Sequence, residues 1–244
     1  MKAMIFAAGL GTRLKPLTDN KPKALVELNG KTLLQWQIEK LKKAGITDII
    51  VNVHHFADLI IDYLREHNNF GCHITISDER DLLLDTGGGL RRIIESGPIL
   101  ALNVDILSNI DIQALVAAYE QDGISRLVVS ERQTSRYLLF NEEGHLVGWI
   151  NIATGEIKGN DELINDELRN DELRRLAFSG MQILSPHVCA RLLNRKEEVF
   201  SLIDFYLDIC QKEILQAYVP EDYRMFDVGK FEHLSEAQAF AASL

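Results

Sequence analysis

The residues best suited to chemistry gather near the start of the chain. Ala7-Ala8-Gly9-Leu10-Gly11-Thr12-Arg13 runs directly out of the apolar stretch Ala3 to Ala8, and Pro22-Lys23 follows shortly after. Glycines let a backbone approach a ligand closely, and successive N–H groups in a tight loop cradle an anion. Ala8, Gly9, Gly11 and Thr12 are the candidates for such a cradle. Between Arg13 and Lys23 stand four cations (Arg13, Lys15, Lys21, Lys23) and one anion (Asp19). Arginine grips a polyphosphate with two parallel hydrogen bonds, and lysine adds a compact point charge. Arg13 and Lys23 therefore suit phosphoryl-group chemistry, where catalysis is mostly positioning and charge neutralisation. Two other glycine motifs fit badly. A dinucleotide fingerprint needs a glycine where Leu14 stands, and a P-loop needs Gly-Lys-Ser/Thr.

Such a loop needs strands and helices to hold it. Ala3 to Ala8 has the continuous apolar pattern of a strand buried on both faces. Asp48 to Val53, His73 to Ser77 and Ile99 to Asn103 read as further strands. Leu33 to Ala44, Ala57 to Glu66, Gly88 to Glu95 and Ile112 to Gln121 read as the helices between them. This alternation predicts a Rossmann-like α/β fold, an open and mostly parallel sheet flanked by helices. Asp105 then falls just past the carboxyl end of a strand, where open α/β sheets place their ligands. Ala24-Leu25-Val26 reads as a strand-like run.

After about Gly123 the pattern changes. Leu127 to Ser130 is a predicted strand. Tyr137 to Phe140 and His145 to Ile150 flank the turn Asn141 to Gly144, giving a small antiparallel hairpin. Phe178 to Leu184 is a strand, Ser185-Pro186 caps a helix, and Phe200 to Lys212 and Glu232 to Ala242 are helical. Asn-Asp-Glu-Leu recurs at Asn160, Asn165 and Asn170. Its leucines (Leu163, Leu168, Leu173) step around a helix axis instead of forming one face. Asn160 to Arg175 carries six acids and three arginines, so it reads as a solvated excursion between strands.

Composition bounds the rest. The chain has 244 residues, 46% of them hydrophobic, enough for one fully cored domain over 1–244. Its net charge of -10 argues against a nucleic-acid partner, which needs a basic face. Cys72, Cys189 and Cys210 are too few and too widely spaced for a disulfide framework or zinc ribbon. The short apolar start suits a strand and not a signal peptide, and no run is long enough to span a membrane. A cytoplasmic protein is expected. The oligomeric state stays open.

Ala7 to Arg13 with Pro22-Lys23 resembles the Gly-x-Gly-Thr-Arg…Pro-Lys signature of sugar-1-phosphate nucleotidyltransferases. Three later stretches agree in order. Asp85-Thr86-Gly87-Gly88-Gly89 resembles the family's base-binding segment, Phe178-Ser179-Gly180 its sugar-facing strand, and Phe226-Asp227-Val228-Gly229 its late aspartate motif. The Asp85 to Gly89 segment and the Phe178-Ser179-Gly180 stretch look most like N-acetylmuramate 1-phosphate uridylyltransferases, with mannose-1-phosphate guanylyltransferases as near neighbours.

The resemblance implies a nucleoside triphosphate and a sugar 1-phosphate as substrates, with pyrophosphate released. It implies residues 1–123 as a nucleotide-binding half and 124–244 as a sugar-binding half. Ala8, Gly9, Gly11, Thr12, Arg13 and Lys23 would meet the triphosphate, and Thr86, Gly87 and Gly88 the base. Ser179 and Gly180 would face the sugar, with Asn151 a further candidate. Asp105 and Asp227 would hold Mg2+, which favours one or two carboxylates plus phosphate oxygens. The chain departs from the pattern at Val104, where the family usually has glycine before the first metal aspartate. Expectation places the Val104 side chain in the core. A guanylyltransferase and a non-catalytic nucleotide-binding subunit remain open alternatives.

Several residues invite chemistry but read as structural. His54 and His55 lack a further ligand at metal-binding spacing. Ser179 has no recognisable His/Asp partners, so it is not a nucleophile candidate. Trp36 sits on an apolar helix and reads as core.

Overall fold

A computed structural model describes residues 1–95, 97–159, 173–229 and 231–244. The strands of the first half are β1 (Lys2–Phe6), β2 (Glu27–Leu28), β3 (Lys31–Thr32), β4 (Asp48–Val53), β5 (His73–Asp78), β6 (Ile99–Asn103) and β7 (Ile106–Ser108). Helices α1 (Leu33–Lys43), α2 (Ala57–Glu66), α3 (Asp85–Ile93) and α4 (Ile112–Asp122) lie between or after them. The second half supplies β8 (Ser125–Ser130), β9 (Arg136–Phe140), β10 (Leu146–Asn151), β11 (Glu156–Gly159) and β12 (Arg174–Leu184). Helices α5 (Pro186–Leu193) and α6 (Leu202–Ile209), strands β13 (Leu215–Tyr218) and β14 (Met225–Asp227), and helix α7 (Leu234–Ala241) complete it.

Among the described residues, ten strands share one sheet in the order β11-β10-β9-β12-β6-β1-β4-β5, with β8 pairing β12 and β13. The expected parallel sheet is present in the first half, where β1 pairs parallel with β4 and β6, and β4 with β5. Strand β12 joins β6 antiparallel and carries the antiparallel region into the same sheet. Alternating residues of β1 explain the layers. Ala3 and Ile5 enter one core cluster, and Met4 and Phe6 enter the other. Each face of the sheet is thus covered, as parallel strands require. Val104 is 4% exposed and belongs to the first cluster, as expected for its side chain. Trp36 packs against the same cluster and donates to the Leu28 carbonyl. Among the described residues, no helix is long and apolar enough to cross a membrane.

Several element boundaries differ from expectation, each for a local reason. The strand-like run Ala24 to Val26 is instead part of a 3-10 turn, Lys23–Leu25. Pro22 at φ -70° precedes it, and the Val26 amide closes it on the Lys23 carbonyl. Helix α3 starts at Asp85 and includes the glycines that were expected to open it. Helix α6 starts at Leu202 because Ser201 caps it, accepting from the Asp204 amide at 3.1 Å. The last expected helix divides into a 3-10 turn, Phe231–His233, followed by α7. The Asn-Asp-Glu-Leu repeat lies outside the described residues except for Leu173, which is buried beside Leu139 and Val147.

Candidate active site

The parallel strands β1, β4, β5 and β6 end at one edge of the sheet, and the glycine loop and Asp105 follow two of those ends. After β1 the chain enters the glycine loop. Gly11 adopts φ 65°, and a side chain there would press on the Lys23 and Thr18 side chains at 3.1 Å. Only glycine lets the loop sit against the stem of Lys23 in this left-handed conformation. Thr18 locks the bend by donating to the Gly11 carbonyl at 2.8 Å. Leu14 is fully buried, so the residue that breaks the dinucleotide fingerprint anchors the loop to the core.

A cavity of about 420 Å³ opens between this loop, the end of β6 and the start of α3. Ala8, Gly9, Lys23, Thr86, Val104 and Asp105 all line it. The Lys23 ammonium, largely buried, forms an ion pair with the Asp105 carboxylate. Asp227 arrives from far along the chain because β14 pairs antiparallel with β7, setting Asp227 opposite Ile106. The Val228 amide then donates to the Asp105 carbonyl at 2.9 Å. A side chain at Gly229 would meet Asp227 Oδ1 at 2.8 Å and Arg13 Nη2 at 3.5 Å, so Arg13 stands beside the second aspartate.

The electrostatics follow from this crowding. Asp227 as a residue is exposed, but neighbouring groups crowd its carboxyl. Desolvation, then the Asp105 charge, pushes its carboxyl above the usual carboxylate range, while Lys23, Arg13 and Arg132 pull against this. Arg132 is a cation that sequence reasoning missed. It follows β8 and donates through Nη2 to the Phe178 carbonyl at 3.2 Å.

Sequence reasoning also missed Asn52 and Glu79. Asn52 Oδ1 accepts from the Ala7 amide at 2.7 Å and the Ala8 amide at 3.3 Å. Its Nδ2 donates to Glu79 Oε1 at 2.9 Å, and Glu79 Oε2 accepts from the Leu84 amide at 3.2 Å. These buried side chains tie the glycine loop, β4 and the approach to α3 into one unit. The available signal was a lone amide in the apolar run Ile49-Ile50-Val51-Asn52-Val53. His54 Nδ1 meets the Glu79 carbonyl at 2.7 Å, a structural contact. Among the described residues, no group of three or more His, Cys, Asp or Glu side chains is placed to hold a metal.

Gly87 and Gly88 sit behind Thr86. Their amides both point to the Phe200 carbonyl, at 2.9 and 3.3 Å. A side chain at Gly87 would lie 2.3 Å from the Phe200 ring, and one at Gly88 would lie 2.2 Å from the Glu198 carbonyl oxygen. The glycines bring α3 against residues 198–200, and that packing leaves Thr86 and Asp85 at the cavity wall. The Thr86 hydroxyl accepts from the Leu202 amide at 3.0 Å.

Ser179 and Gly180 form a register shift in β12 against β8. Gly180 has φ 68°, and a side chain there would meet Asn103 Nδ2 at 2.9 Å. Asn103 lines the cavity, so the irregularity borders it. Ser179 is buried, and the Tyr223 hydroxyl stands near the Ser179 and Ser108 hydroxyls. Asn151 lies apart, in β10, with β9 between it and β12. Its Oδ1 accepts from the Ala153 amide at 3.1 Å.

Comparison with known proteins bears on the family and the fold. The nucleotidyl transferase family model matches residues 2–143. The N-acetylmuramate alpha-1-phosphate uridylyltransferase of Caulobacter vibrioides is 30% identical over 250 residues, spanning 99% of this chain and 94% of that protein. The mannose-1-phosphate guanyltransferase of Gibberella zeae is 34% identical over 154 residues, spanning 59% of this chain and 42% of that protein. Among solved structures, a putative glucose-1-phosphate thymidylyltransferase from Bacillus anthracis superposes with a TM-score of 0.80 at 16% identity. It covers 100% of this chain and 96% of that one. At that identity the likeness speaks for the fold alone.

Proposed function

The chain belongs to the nucleotidyl transferase family and is a sugar-1-phosphate nucleotidyltransferase, and we propose that it joins UTP to an N-acetylmuramate-type sugar 1-phosphate. The observation that supports this reading is that Ala8, Gly9, Lys23 and Asp105 line one cavity, with Lys23 paired to Asp105 and Asp227 brought to the neighbouring strand by the β7–β14 pairing. The choice of UTP and of an N-acetylmuramate-type sugar draws its support from the full-length relative. In the proposed division, residues 1–123 hold the nucleotide and residues 124–244 the sugar.

The triphosphate lies along Ala8, Gly9, Gly11 and Thr12, with its base toward Thr86. Arg13 neutralises the outer phosphates. Lys23 faces the α-phosphate and the incoming sugar phosphate. An oxygen of the sugar 1-phosphate attacks the α-phosphorus, forming the new P–O bond as the bond to pyrophosphate breaks on the opposite side. That oxygen is already anionic at neutral pH, so no general base is needed. The difficulty is repulsion between two anions, and the cations of the site answer it. Ser179 and Gly180 border the sugar, and Asn151 is kept as a more distant candidate.

Asp105 and Asp227 fit a divalent cation. They offer hard carboxylate oxygens, and the pKa of Asp227 is raised first by desolvation and then by the Asp105 charge, both of which a cation would offset. Bound there, Mg2+ would supply further neutralisation of the reacting phosphates.

A pyrophosphate-release screen of the four triphosphates against a panel of sugar 1-phosphates tests the reading. UTP with N-acetylmuramate 1-phosphate is the expected pair. Preference for GTP with mannose 1-phosphate would replace it by the guanylyltransferase reading. No release with any pair would leave a nucleotide-binding protein and overturn the proposal.

A further inference from the structure

We propose that Gln37 and Lys40 of α1 are positioning residues for the two carboxylates, bracing from behind the strand that carries their geometry. The proposal rests on the reading of Asp105 and Asp227 as a divalent-cation pair.

Helix α1 buries Leu33, Leu34, Gln37, Ile38 and Leu41. Gln37 is the one amide in this apolar stripe and is 0% exposed. Its Nε2 donates to the Ile106 carbonyl at 2.9 Å and to the Val104 carbonyl at 3.3 Å. These are the two carbonyls that flank Asp105. Among the described residues, Gln37 Oε1 accepts no hydrogen bond. An unpaired buried acceptor is unfavourable, so the amide is kept for what its Nε2 holds.

One turn further along the helix, the Lys40 ammonium donates to the Ser108 carbonyl at 2.7 Å and approaches its hydroxyl at 3.1 Å. Burial lowers the pKa of this ammonium to about 8. Gln37 and Lys40 therefore grip β7 at its start and its end. On its other side β7 pairs with β14, Ser108 opposite Met225 and Ile106 opposite Asp227. The backbone around Asp105 is then fixed at four points. The Val104 amide donates to the Phe6 carbonyl, the Val104 and Ile106 carbonyls meet Gln37, and the Asp105 carbonyl meets the Val228 amide. Residues behind a metal ligand commonly set its orientation, and changing them weakens metal affinity.

The test compares full-length Gln37→Leu and Lys40→Met with the unsubstituted protein and with Ile38→Val, a core control on the same helix. Three quantities are measured: Mn2+ binding by electron paramagnetic resonance titration in the presence of UTP, half-saturating Mg2+ in pyrophosphate release, and Tm. Gln37→Leu removes the unpaired Oε1 but also the donor to two carbonyls, so Tm should fall modestly, while Mn2+ binding weakens about 10-fold. Lys40→Met should shift both metal readouts in the same direction, and Ile38→Val should move Tm alone. Folded Gln37→Leu with unchanged Mn2+ binding overturns the brace. If Gln37→Leu does not fold, unchanged binding in Lys40→Met overturns it instead. An unsubstituted protein that releases no pyrophosphate and binds no Mn2+ defeats the underlying reading, and the brace with it. An active one with unresponsive variants defeats the brace alone.

Discussion

The Asn52 side chain accepts from the Ala7 amide at 2.7 Å while donating to Glu79 Oε1 at 2.9 Å. One buried amide thus couples the glycine loop to the wall that precedes α3. Two of the loop's N–H groups, those of Ala7 and Ala8, are engaged by this contact, so in the proposed triphosphate site Ala8 would line the path while later amides of the loop donate to the anion.

Replacing Asn52 tests that coupling. Asn52→Leu leaves the Ala7 and Ala8 amides and one Glu79 oxygen without their partner. Each unpaired buried group costs roughly 1–3 kcal/mol, so urea unfolding should show a loss of at least that size. Because the loop is released at the cavity, KM for the triphosphate should rise as well. A variant with normal stability and normal KM would show that the loop holds its shape without Asn52.

Lys23 occupies a different role. It is largely buried, its stem touches the Gly11 turn, and its ammonium pairs with Asp105. Lys23→Ala should lower kcat on the order of 10²–10³-fold, the scale seen when a preorganised electrostatic contact is removed. The loss of stability should be much smaller, since one partner of the pair stays partly solvated. Steady-state kinetics beside a thermal melt separates the two effects. Unchanged turnover would remove Lys23 from the chemistry.

Much of this frame can be read from sequence, because the signals are local. Asp48–Val53, Ala57–Glu66 and Ile99–Asn103 have the bounds that apolar periodicity predicts. Asp105 falls at a strand end for the same reason. Asp227 is different. Its place depends on the pairing of two three-residue strands, β7 and β14, too short to leave a periodic signature. The run Ala24 to Val26 is apolar because it is packed, while Pro22 dictates its turn. Gln37 and Asn52 are polar residues inside apolar stripes. That much is visible in the sequence, but their partners are carbonyls, amides and a carboxylate supplied by distant segments.

The glycines of α3 give a packing prediction. A methyl group at Gly88 would fall 2.2 Å from the Glu198 carbonyl oxygen, which is backbone and cannot swing aside. Gly88→Ala should therefore push α3 from residues 198–200 and cost about 1–3 kcal/mol, the usual scale for overpacking. The displaced helix start carries Thr86, so KM for the triphosphate should rise while kcat changes less. If calorimetry shows full stability and kinetics show an unchanged KM, the close approach of α3 is not what shapes the cavity.

Asp227 gives a prediction in which stability and activity move in opposite directions. Desolvation and the neighbouring Asp105 raise its pKa above the usual carboxylate range. The folded state therefore holds this proton more tightly than the unfolded chain does. The stability it contributes is present below the unfolded carboxylate pKa and is lost as pH rises through the raised, folded value. At pH 7 the ionised group is a net burden, although water at the open side of the cleft screens it. Asp227→Asn removes the burden, so its Tm should exceed that of the unsubstituted protein at pH 7. The advantage should fade as the buffer is taken down toward pH 4. Turnover should fall on the order of 10²-fold or more, because the carboxylate proposed to meet the cation is gone. A variant that melts lower at pH 7, or that keeps the original Mg2+ titration, would show that Asp227 is held by its cationic neighbours and not strained by its acidic one.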